Sequence, residues 1–485
     1  MPRTPSTSSR LTSRLTAQLT SRLTSPLTPP PTSAQTSRSL LRDVRVADLD
    51  LDLDPDLAPD GGGEGEVVLS LTPAPGGPPV RAGAVYALVR LRGRPVATVL
   101  TTVPDGADPA GVLTAAFLAR GPNHDRQPDR TSLLSGVTPP RTTVVVATRE
   151  RADTLGRALD SLLAQDHPDF RVVVVDNAPV TPATRELIDA RYADRLTYVH
   201  EPVPGLATAH NAGVAATDSP VVAFTDDDVV ADPHWLSALT APFAADPRTG
   251  CVTGLILPAR LTTPAQVLLE SHGGFAKGFA PRLHDPAAPP ADEPLFPFTA
   301  GSFGSGANMA FRVSALRAVG GFDPATGTGT PARGGDDLYA FVRILTAGHR
   351  LRYTPDALVW HHHRETWQDL RNQAYGYGAG LTAYLTAVLC RHPALLPALL
   401  AKLPRGLAHA RAITAHRDGH PAGAPDAPGA PVGAPDAPST PAGAPPAPGA
   451  HGALGHPWPR TLSRLERRGM LYGPLGYAKA RWGRR

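Results

Sequence analysis

Three consecutive aspartates, Asp226, Asp227 and Asp228, close an apolar run, Val221-Val222-Ala223-Phe224-Thr225. Adjacent like charges repel, so the triplet needs a positive partner. At the exit of a buried strand a divalent cation suits it, because hard cations take carboxylate oxygens. The same residues could instead form a solvated acidic turn, with Asp228 or Asp232 capping the next helix. Two further groups carry chemistry. Asp336-Asp337 follows Gly334-Gly335. Acids at a helix start are favoured by the helix dipole by about 0.3–1 kcal/mol, so a purely structural role is open to this pair as well. His361-His362-His363 ends a late strand, and period-2 alternation puts His361 and His363 on one face. They could be ligands, polar lining or surface.

The elements that must position these groups are legible from Arg141 onward. Thr143–Ala147 and Arg171–Val175 are continuous apolar runs, as in strands buried on both faces. Between them, Asp153 is expected to cap a helix with Leu155, Leu159, Leu162 and Leu163 on one stripe. Helix 181–191, strand 196–200, helix 206–216 and strand 221–225 follow. Strands alternating with helices imply βαβ units and a parallel sheet. In such sheets ligands bind at the carboxyl ends of strands. Three of those ends are polar here: Thr148-Arg149-Glu150-Arg151, Asp176-Asn177 and the triplet. After Asp246 the alternation breaks down into strand 251–257, helix 264–270, a Pro-rich loop at 278–297, strand 307–311, helix 313–319, helix 337–347 and strand 350–360. Trp235 and Trp360 are expected in the core. Asn308 is expected near an acceptor or in a loop hydrogen bond.

Not all of the 485 residues can be core, since 55 prolines and 46 glycines concentrate in stretches that cannot pack. Residues 1–42 repeat Leu-Thr every four residues (Leu11, Leu15, Leu19, Leu23, Leu27) amid Ser, Thr and Pro, and are expected to be a disordered tail. Residues 43–125 suggest a small α+β accessory domain with strands at 67–71, 85–89 and 94–100 and a helix at 109–120. Residues 140–365 form the main domain, 366–412 a helical segment, 413–457 a Pro/Ala/Gly-rich linker and 458–485 a basic C-terminal segment. Basic ends on a net charge of +4 suit an anionic partner or merely aid solubility. A peripheral membrane contact is the expectation, and nucleic acid is not. Two cysteines give no disulfide framework. No run approaches the roughly 18 apolar residues of a membrane span, and the N-terminus lacks an apolar signal core. The expected location is cytoplasmic, at the inner face of the membrane.

The order of motifs within 140–365 resembles a family 2 glycosyltransferase of the GT-A fold. The residues that carry it are Val144–Thr148, Val174–Asn177, Gly205–Gly213, Phe224–Asp228, Gly306–Phe311, Gly320–Asp323, and Gly335–Leu338 with Arg343. Each is weak alone; seven in order are specific. The resemblance implies a Rossmann-like mixed sheet flanked by helices and an inverting, metal-dependent sugar transfer. The donor would be a nucleoside-diphosphate sugar. The acceptor would be a hydroxyl on a glycan, a lipid-linked glycan or a small molecule. Asp337 would be the general base, with Asp336 beside it. Thr148, Glu150, Arg151, Asp176, Asn211, Asp226 and Asp227 would meet the nucleotide-sugar. Asp228, with His361 and His363, would bind Mg2+ or Mn2+. The chain departs from the family pattern at Ala147, Glu150, His210 and Asp336, which touches the donor contacts most.

Two other readings stand beside this one. Asp226–Asp228 followed by Val229-Val230 imitates the motif of a haloacid-dehalogenase-type phosphohydrolase, but that family puts its nucleophile on the first strand and needs a lysine for which only Lys277 is available. A non-catalytic nucleotide-sugar-binding or membrane-scaffold protein would not need the acidic pair.

Overall fold

The computed structural model describes residues 43–52, 69–119, 137–402 except 273, 291, 292 and 294, then 404 and 458–483. The expected tail at 1–42 and the expected linker at 413–457 lie outside the described residues.

The first described unit is a four-stranded sheet in the order β2-β1-β3-β4. Its strands are β1 (Arg45–Leu51), β2 (Leu69–Pro73), β3 (Gly83–Leu91) and β4 (Arg94–Val103), followed by helix α1 (Pro109–Leu118). Strand β1 is not among the strands expected from the sequence. Its alternation of acids with Ala47, Leu49 and Leu51 is a period-2 strand whose apolar face is buried. Helix α1 starts on Asp108, whose carboxylate accepts from the amides of Ala110 and Gly111.

A nine-stranded sheet follows, in the order β11-β13-β10-β12-β8-β5-β6-β7, with β9 paired to β13. Its first half alternates as expected: β5 (Thr142–Thr148), α2 (Ala152–Leu162), β6 (Phe170–Asn177), α3 (Ala183–Arg191), β7 (Thr197–Glu201), α4 (Leu206–Ala215) and β8 (Val221–Asp226). Strand β5 runs parallel to both β6 and β8. The chain therefore moves outward through β6 and β7, then returns to the other side of β5. That reversal opens a crevice at the carboxyl ends of β5 and β8, where α/β sheets bind ligands. Helix α2 begins at Ala152, so Asp153 does not cap it. The N-cap position belongs to Arg151, and Asp153 sits in the first turn, where its charge meets the helix dipole.

The second half comprises β9 (Val229–Ala231), α5 (Trp235–Ala245), β10 (Thr249–Pro258), α6 (Pro264–Ser271), β11 (Arg282–His284), β12 (Asn308–Arg312), α7 (Val313–Ala318), α8 (Asp336–Thr346) and β13 (Arg350–His361). Strand β12 is antiparallel to β8 and β10, and β10 is parallel to β13, which makes the sheet mixed. One face packs α2, α3 and α5 through Val144, Val146, Leu159, Ile188 and Trp235. The other packs α4, α7 and α8 through Val145, Phe224, Leu316 and Phe341. On this face α4 lies directly on β5. A Cβ at Gly213 would collide with the Val145 side chain, so the close approach requires glycine. Asn308 is fully committed inside: it accepts from Trp235 Nε1 (2.9 Å) and donates to the carbonyls of Leu255 (2.9 Å) and Ala357 (2.8 Å). It staples β12 to β10 and β13.

Two long helices complete the described chain, α9 (Trp367–Arg391) and α10 (Arg460–Trp482). They pack backbone to backbone, Gly378 against the Glu466 carbonyl and Gly469 against that of Tyr375. Among the described residues no single helix is long and apolar enough to cross a membrane. Helix α9 and the helix Pro393–Lys402 reach that length only together, bent by 110°.

The small sheet is fastened behind β10 and β13. Val46, Tyr86 and Leu88 pack with Leu255, Leu257, Leu358 and Trp360. Two ion-pair sets cross the same boundary. Arg90 holds Asp48 (2.8 Å) and Asp232 (2.7 Å), and Arg94 holds Asp356 (2.9 Å). Removing one partner of a buried pair strands the other charge, which costs about 3–5 kcal/mol. Arg90→Met is therefore expected to lower the urea unfolding midpoint by that equivalent. An exposed control, Arg92→Met, is expected to leave it unchanged.

Candidate active site

The crevice between β5 and β8 collects most of the charged groups singled out in the sequence. Thr148, the last residue of β5, donates from Oγ1 to Asp227 Oδ2 across 2.7 Å. Arg151, at the N-cap of α2, reaches back with Nη1 to Asp227 Oδ1 (2.7 Å) and with Nη2 to Asp228 Oδ2 (2.9 Å). Arg364 stands 3.7 Å from Asp228 Oδ2. His361 Nε2 lies 3.4 Å from Asp228 Oδ1, too far for a good hydrogen bond. Asp228 Oδ1 is buried without a hydrogen-bond partner. Asp226, Asp228 and His361 each offer one ligand atom, all within 4.8 Å of one another. Two carboxylates, one of them with an orphaned buried oxygen, and one imidazole fit a hard divalent cation.

Electrostatics separate the three acids. Burial, then Asp228 and Asp227, push Asp226 well above the usual carboxylate range. Burial lifts Asp227 to about 6 against the pull of Arg151. Burial also works against ionisation of Asp228, but His361, Arg151 and Arg364 outweigh it and hold that carboxyl at about 2. The expectation joined Asp228 with His361 and His363, and placed Asp226 and Asp227 on the nucleotide. The geometry instead groups Asp226 with Asp228 and His361, because Asp227 is taken up by Thr148 and Arg151. His363 stands behind His361 and turns its Nε2 to Glu270, 3.0 Å away.

Around the rim, Asp176 at the end of β6 accepts from Tyr198 Oη (2.9 Å), while its Oδ1 is buried without a partner. Burial pushes its carboxyl up. Asp176 thus has one oxygen unmatched in the crevice. Glu150 is otherwise engaged. Its backbone is left-handed, with φ 55°, and its carboxylate accepts from Val180 N (2.7 Å), Thr181 N (3.0 Å) and Thr181 Oγ1 (2.8 Å). It ties the loop after β5 to the loop after β6. Asn211 is also engaged: it accepts from Phe322 N and donates to Phe322 O, both at 2.8 Å. Expected as donor contacts, these two side chains hold loops together.

The acidic pair is tied to the same strand ends: Asp337 bonds Gly306 N, and the next residue, Ala307, accepts from Thr225 Oγ1 beside the triplet. Gly335 has φ +86°, and a Cβ there would lie 2.5 Å from the Gly380 carbonyl of α9. That tight left-handed turn starts α8 directly on Asp336 and Asp337. Asp337 Oδ2 accepts from Gly306 N and Oδ1 from Leu338 N, both at 2.8 Å. Burial and the neighbouring Asp336 push Asp337 up to about 6. Asp336 is buried, with Oδ2 3.4 Å from His210 Nδ1. The His210 ring lies against Phe224 and Phe322, with centroids 4.8 and 4.9 Å away. Half-buried Lys277 has its ammonium lowered by burial, with Asp337 opposing the shift. It came up in the sequence only as the lysine a phosphohydrolase would need. Arg364, Glu270 and Tyr198 were not anticipated at all. Nothing local marks them, since the His363–Glu270 contact spans 93 positions.

Part of the chain is similar to known proteins. Residues 143–320 match the model described as glycosyl transferase family 2. A pre-mycofactocin glycosyltransferase from Mycobacterium tuberculosis is 32% identical over 288 residues, covering 59% of this chain and 53% of that protein. A validoxylamine A glucosyltransferase from Streptomyces hygroscopicus is 35% identical over 121 residues, covering 24% of this chain and 28% of that protein. A glucosyl-dolichyl phosphate glucuronosyltransferase from Haloferax volcanii is 24% identical over 235 residues, covering 46% and 69%. The chain spans about half the length of the first of these, 53%. A solved mannosyltransferase from Pyrobaculum calidifontis in complex with GDP-Man and Mn2+ has a TM-score of 0.41 at 22% identity, covering 73% of this chain and 93% of that one.

Arg151 is the principal cation on the triplet in this structure, and its removal leaves two buried carboxylates facing each other. Arg151→Met is expected to lose about 1.5–3 kcal/mol of stability in EDTA, the range for hydrogen bonds to charged groups. Added Mn2+ is expected to restore part of that loss. Urea unfolding with and without the metal checks both.

Proposed function

We propose that this chain, a member of glycosyl transferase family 2 through residues 143–320, moves a sugar from a nucleoside-diphosphate sugar to a hydroxyl acceptor with inversion. The observation that carries the reading is the pairing of two acidic groups at one crevice. One has cation-ligand geometry (Asp226, Asp228, His361), and the other, Asp337, has a carboxyl raised to about 6.

Asp226, Asp228 and His361 would hold Mg2+ or Mn2+, which supplies Lewis-acid neutralisation of charge on the departing diphosphate. Arg151 and Arg364 add positive charge on the same side. Thr148 and Arg151 keep Asp227 in place. The unmatched oxygen of Asp176 suits a donor N–H or O–H of the base or ribose. Asp337 takes the proton of the attacking hydroxyl. A base raised toward the working pH is both ionised and a good acceptor, and such groups contribute typically about 10²–10⁴-fold. Attack from the face opposite the leaving group inverts the anomeric carbon.

The phosphohydrolase alternative fits less well, because the triplet closes β8, the fourth strand of its sheet in chain order. The acceptor is a hydroxyl on a glycan, a lipid-linked glycan or a small molecule. A relative named for glucosyl-dolichyl phosphate supports the lipid-linked choice. We place the protein in the cytoplasm, at the inner face of a membrane. Support comes from α10, which exposes Leu471, Leu475 and Trp482 beside Arg464, Arg467 and Arg468.

Purified protein given Mn2+ and a panel of UDP-, GDP- and dTDP-sugars is expected to release nucleoside diphosphate. Phosphate release from simple monoesters without sugar-nucleotide turnover would refute the transferase. Asp337→Asn is expected to abolish turnover while sparing nucleotide binding. The active form of Asp337 is deprotonated, so turnover is expected to fall about tenfold per pH unit below about 6 and to level off above it. Flotation with anionic liposomes is expected for the wild type and to be lost in the double variant Leu471→Asp, Leu475→Asp.

A further inference from the structure

We propose that His363, Glu270 and Tyr86 form a buried hydrogen-bond chain that fixes His361 as its Nδ1–H tautomer and presents the lone pair of Nε2 to Asp226 and Asp228. The function of this chain rests on the cation-site reading above; its existence does not.

Four side chains from three parts of the fold meet in line. His361 ends β13 and His363 follows it; Glu270 lies on α6 and Tyr86 on β3 of the small sheet. All are buried, with relative exposures of 6%, 2%, 3% and 1% in that order. Tyr86 Oη donates to Glu270 Oε1 at 3.3 Å. Glu270 Oε2 and His363 Nε2 are 3.0 Å apart, and His363 Nδ1 and His361 Nδ1 are 3.0 Å apart. The far side of the His361 ring, Nε2, faces Asp228 Oδ1 at 3.4 Å.

With one hydrogen on each imidazole, only one direction of donation satisfies the line. A carboxylate accepts and does not donate, so the hydrogen between Glu270 and His363 sits on His363 Nε2. With that hydrogen on Nε2, His363 Nδ1 is bare and must accept. Its neighbour must donate, so His361 carries its hydrogen on Nδ1. His361 Nε2 is left as a lone pair opposite a carboxylate oxygen that itself has no hydrogen-bond partner. Two acceptors facing each other at 3.4 Å are unfavourable unless a cation joins them. Outer partners of this kind orient a metal-binding imidazole and typically change affinity about 10–100-fold when removed.

The surroundings hold the line in place. Helix α6 starts with a reciprocal cap between Thr263 and Gln266, and Gln266 Nε2 also donates to the His363 carbonyl at 3.2 Å. Phe275 covers both rings, with centroids 5.1 and 5.6 Å away. Gly274, at φ +44°, lets the backbone pass so close that a Cβ would lie 2.6 Å from Glu270 Oε2. The small N-terminal sheet thereby gains a role beyond packing, since Tyr86 supplies the outermost donor.

The first test uses the metal-free full-length protein with 15N-labelled histidine, and long-range 1H–15N correlations assigned by loss of the His361 signals in His361→Gln. The expected spectrum shows His361 protonated at Nδ1 and bare at Nε2. A proton on Nε2 overturns the proposal. In a second test, calorimetric titration with Mn2+, His363→Phe is expected to bind about 10–100-fold more weakly than wild type. Its His361 proton is expected to move to Nε2. Unchanged Mn2+ affinity in His363→Phe overturns the proposal. Should wild type bind no Mn2+ yet show the Nδ1–H tautomer, the chain stands and the cation-site reading falls.

Discussion

Repulsion among three adjacent carboxylates, held where the sheet reverses direction, is the constraint on which the site depends. At the end of an exposed strand the triplet would be diluted by water. Here Asp227 and Asp228 are buried, and each unit of charge must be answered locally. The answers come from separate elements. Thr148 comes from β5, Arg151 from the start of α2, and Arg364 from just beyond β13. These partners do not finish the task. Asp228 Oδ1 still lacks a hydrogen-bond partner, and Asp226 is still pushed well up by its neighbours. A site that is nearly but not fully neutralised by protein groups has room for one more positive charge.

The flanking units serve that arrangement. Strand β13 brings His361 to Asp228, and β13 is backed by the small sheet through Trp360, Tyr86 and the Arg94–Asp356 pair. Helix α4 lies flat on β5 at Gly213, which sets His210 between two phenylalanines and beside Asp336. Helix α9 presses the Gly380 backbone onto Gly335, fixing where α8 begins and hence where Asp337 points. Helix α10 locks α9 in turn and reaches the same loop, since Tyr477 Oη donates to Asp323 at 3.0 Å. Packing between these segments thus holds the two acidic clusters in place.

The sequence showed the strands that bear the site because burial on both faces leaves an uninterrupted apolar run, as in Val144–Val146 and Val172–Val175. The mixed α/β sheet with flanking helices followed from that alternation. Strand β1 stayed hidden because its outward acids, Asp48 and Asp50, dominate its composition while its buried side is only Ala47, Leu49 and Leu51. Asp153 was misplaced by one turn position, since Arg151 can occupy the N-cap without a side-chain bond. Individual roles were less legible than the cluster. Whether Glu150 or Asn211 faces a ligand or a loop depends on partners 30 and 111 positions away. No local pattern records such pairings. Glu270 illustrates the limit: an acid on a short helix becomes significant only once α6 is seen beside β13.

The two acidic clusters differ in how the protein sets their protons, and that difference argues for a division of labour. Asp228 is buried, yet the surrounding cationic groups hold it at about 2, so it is a permanent anion. Asp337 has backbone amides on both oxygens but a carboxylate neighbour in Asp336, and burial and that neighbour leave it at about 6. A permanent anion binds a cation well and makes a poor base, because it gains little by taking a proton. A carboxylate poised near 6 exchanges a proton readily and holds a cation less firmly. Placing both at one crevice lets charge neutralisation and proton removal proceed at separate atoms. The triplet therefore suits the leaving group, and the proton transfer falls to the single aspartate opposite it.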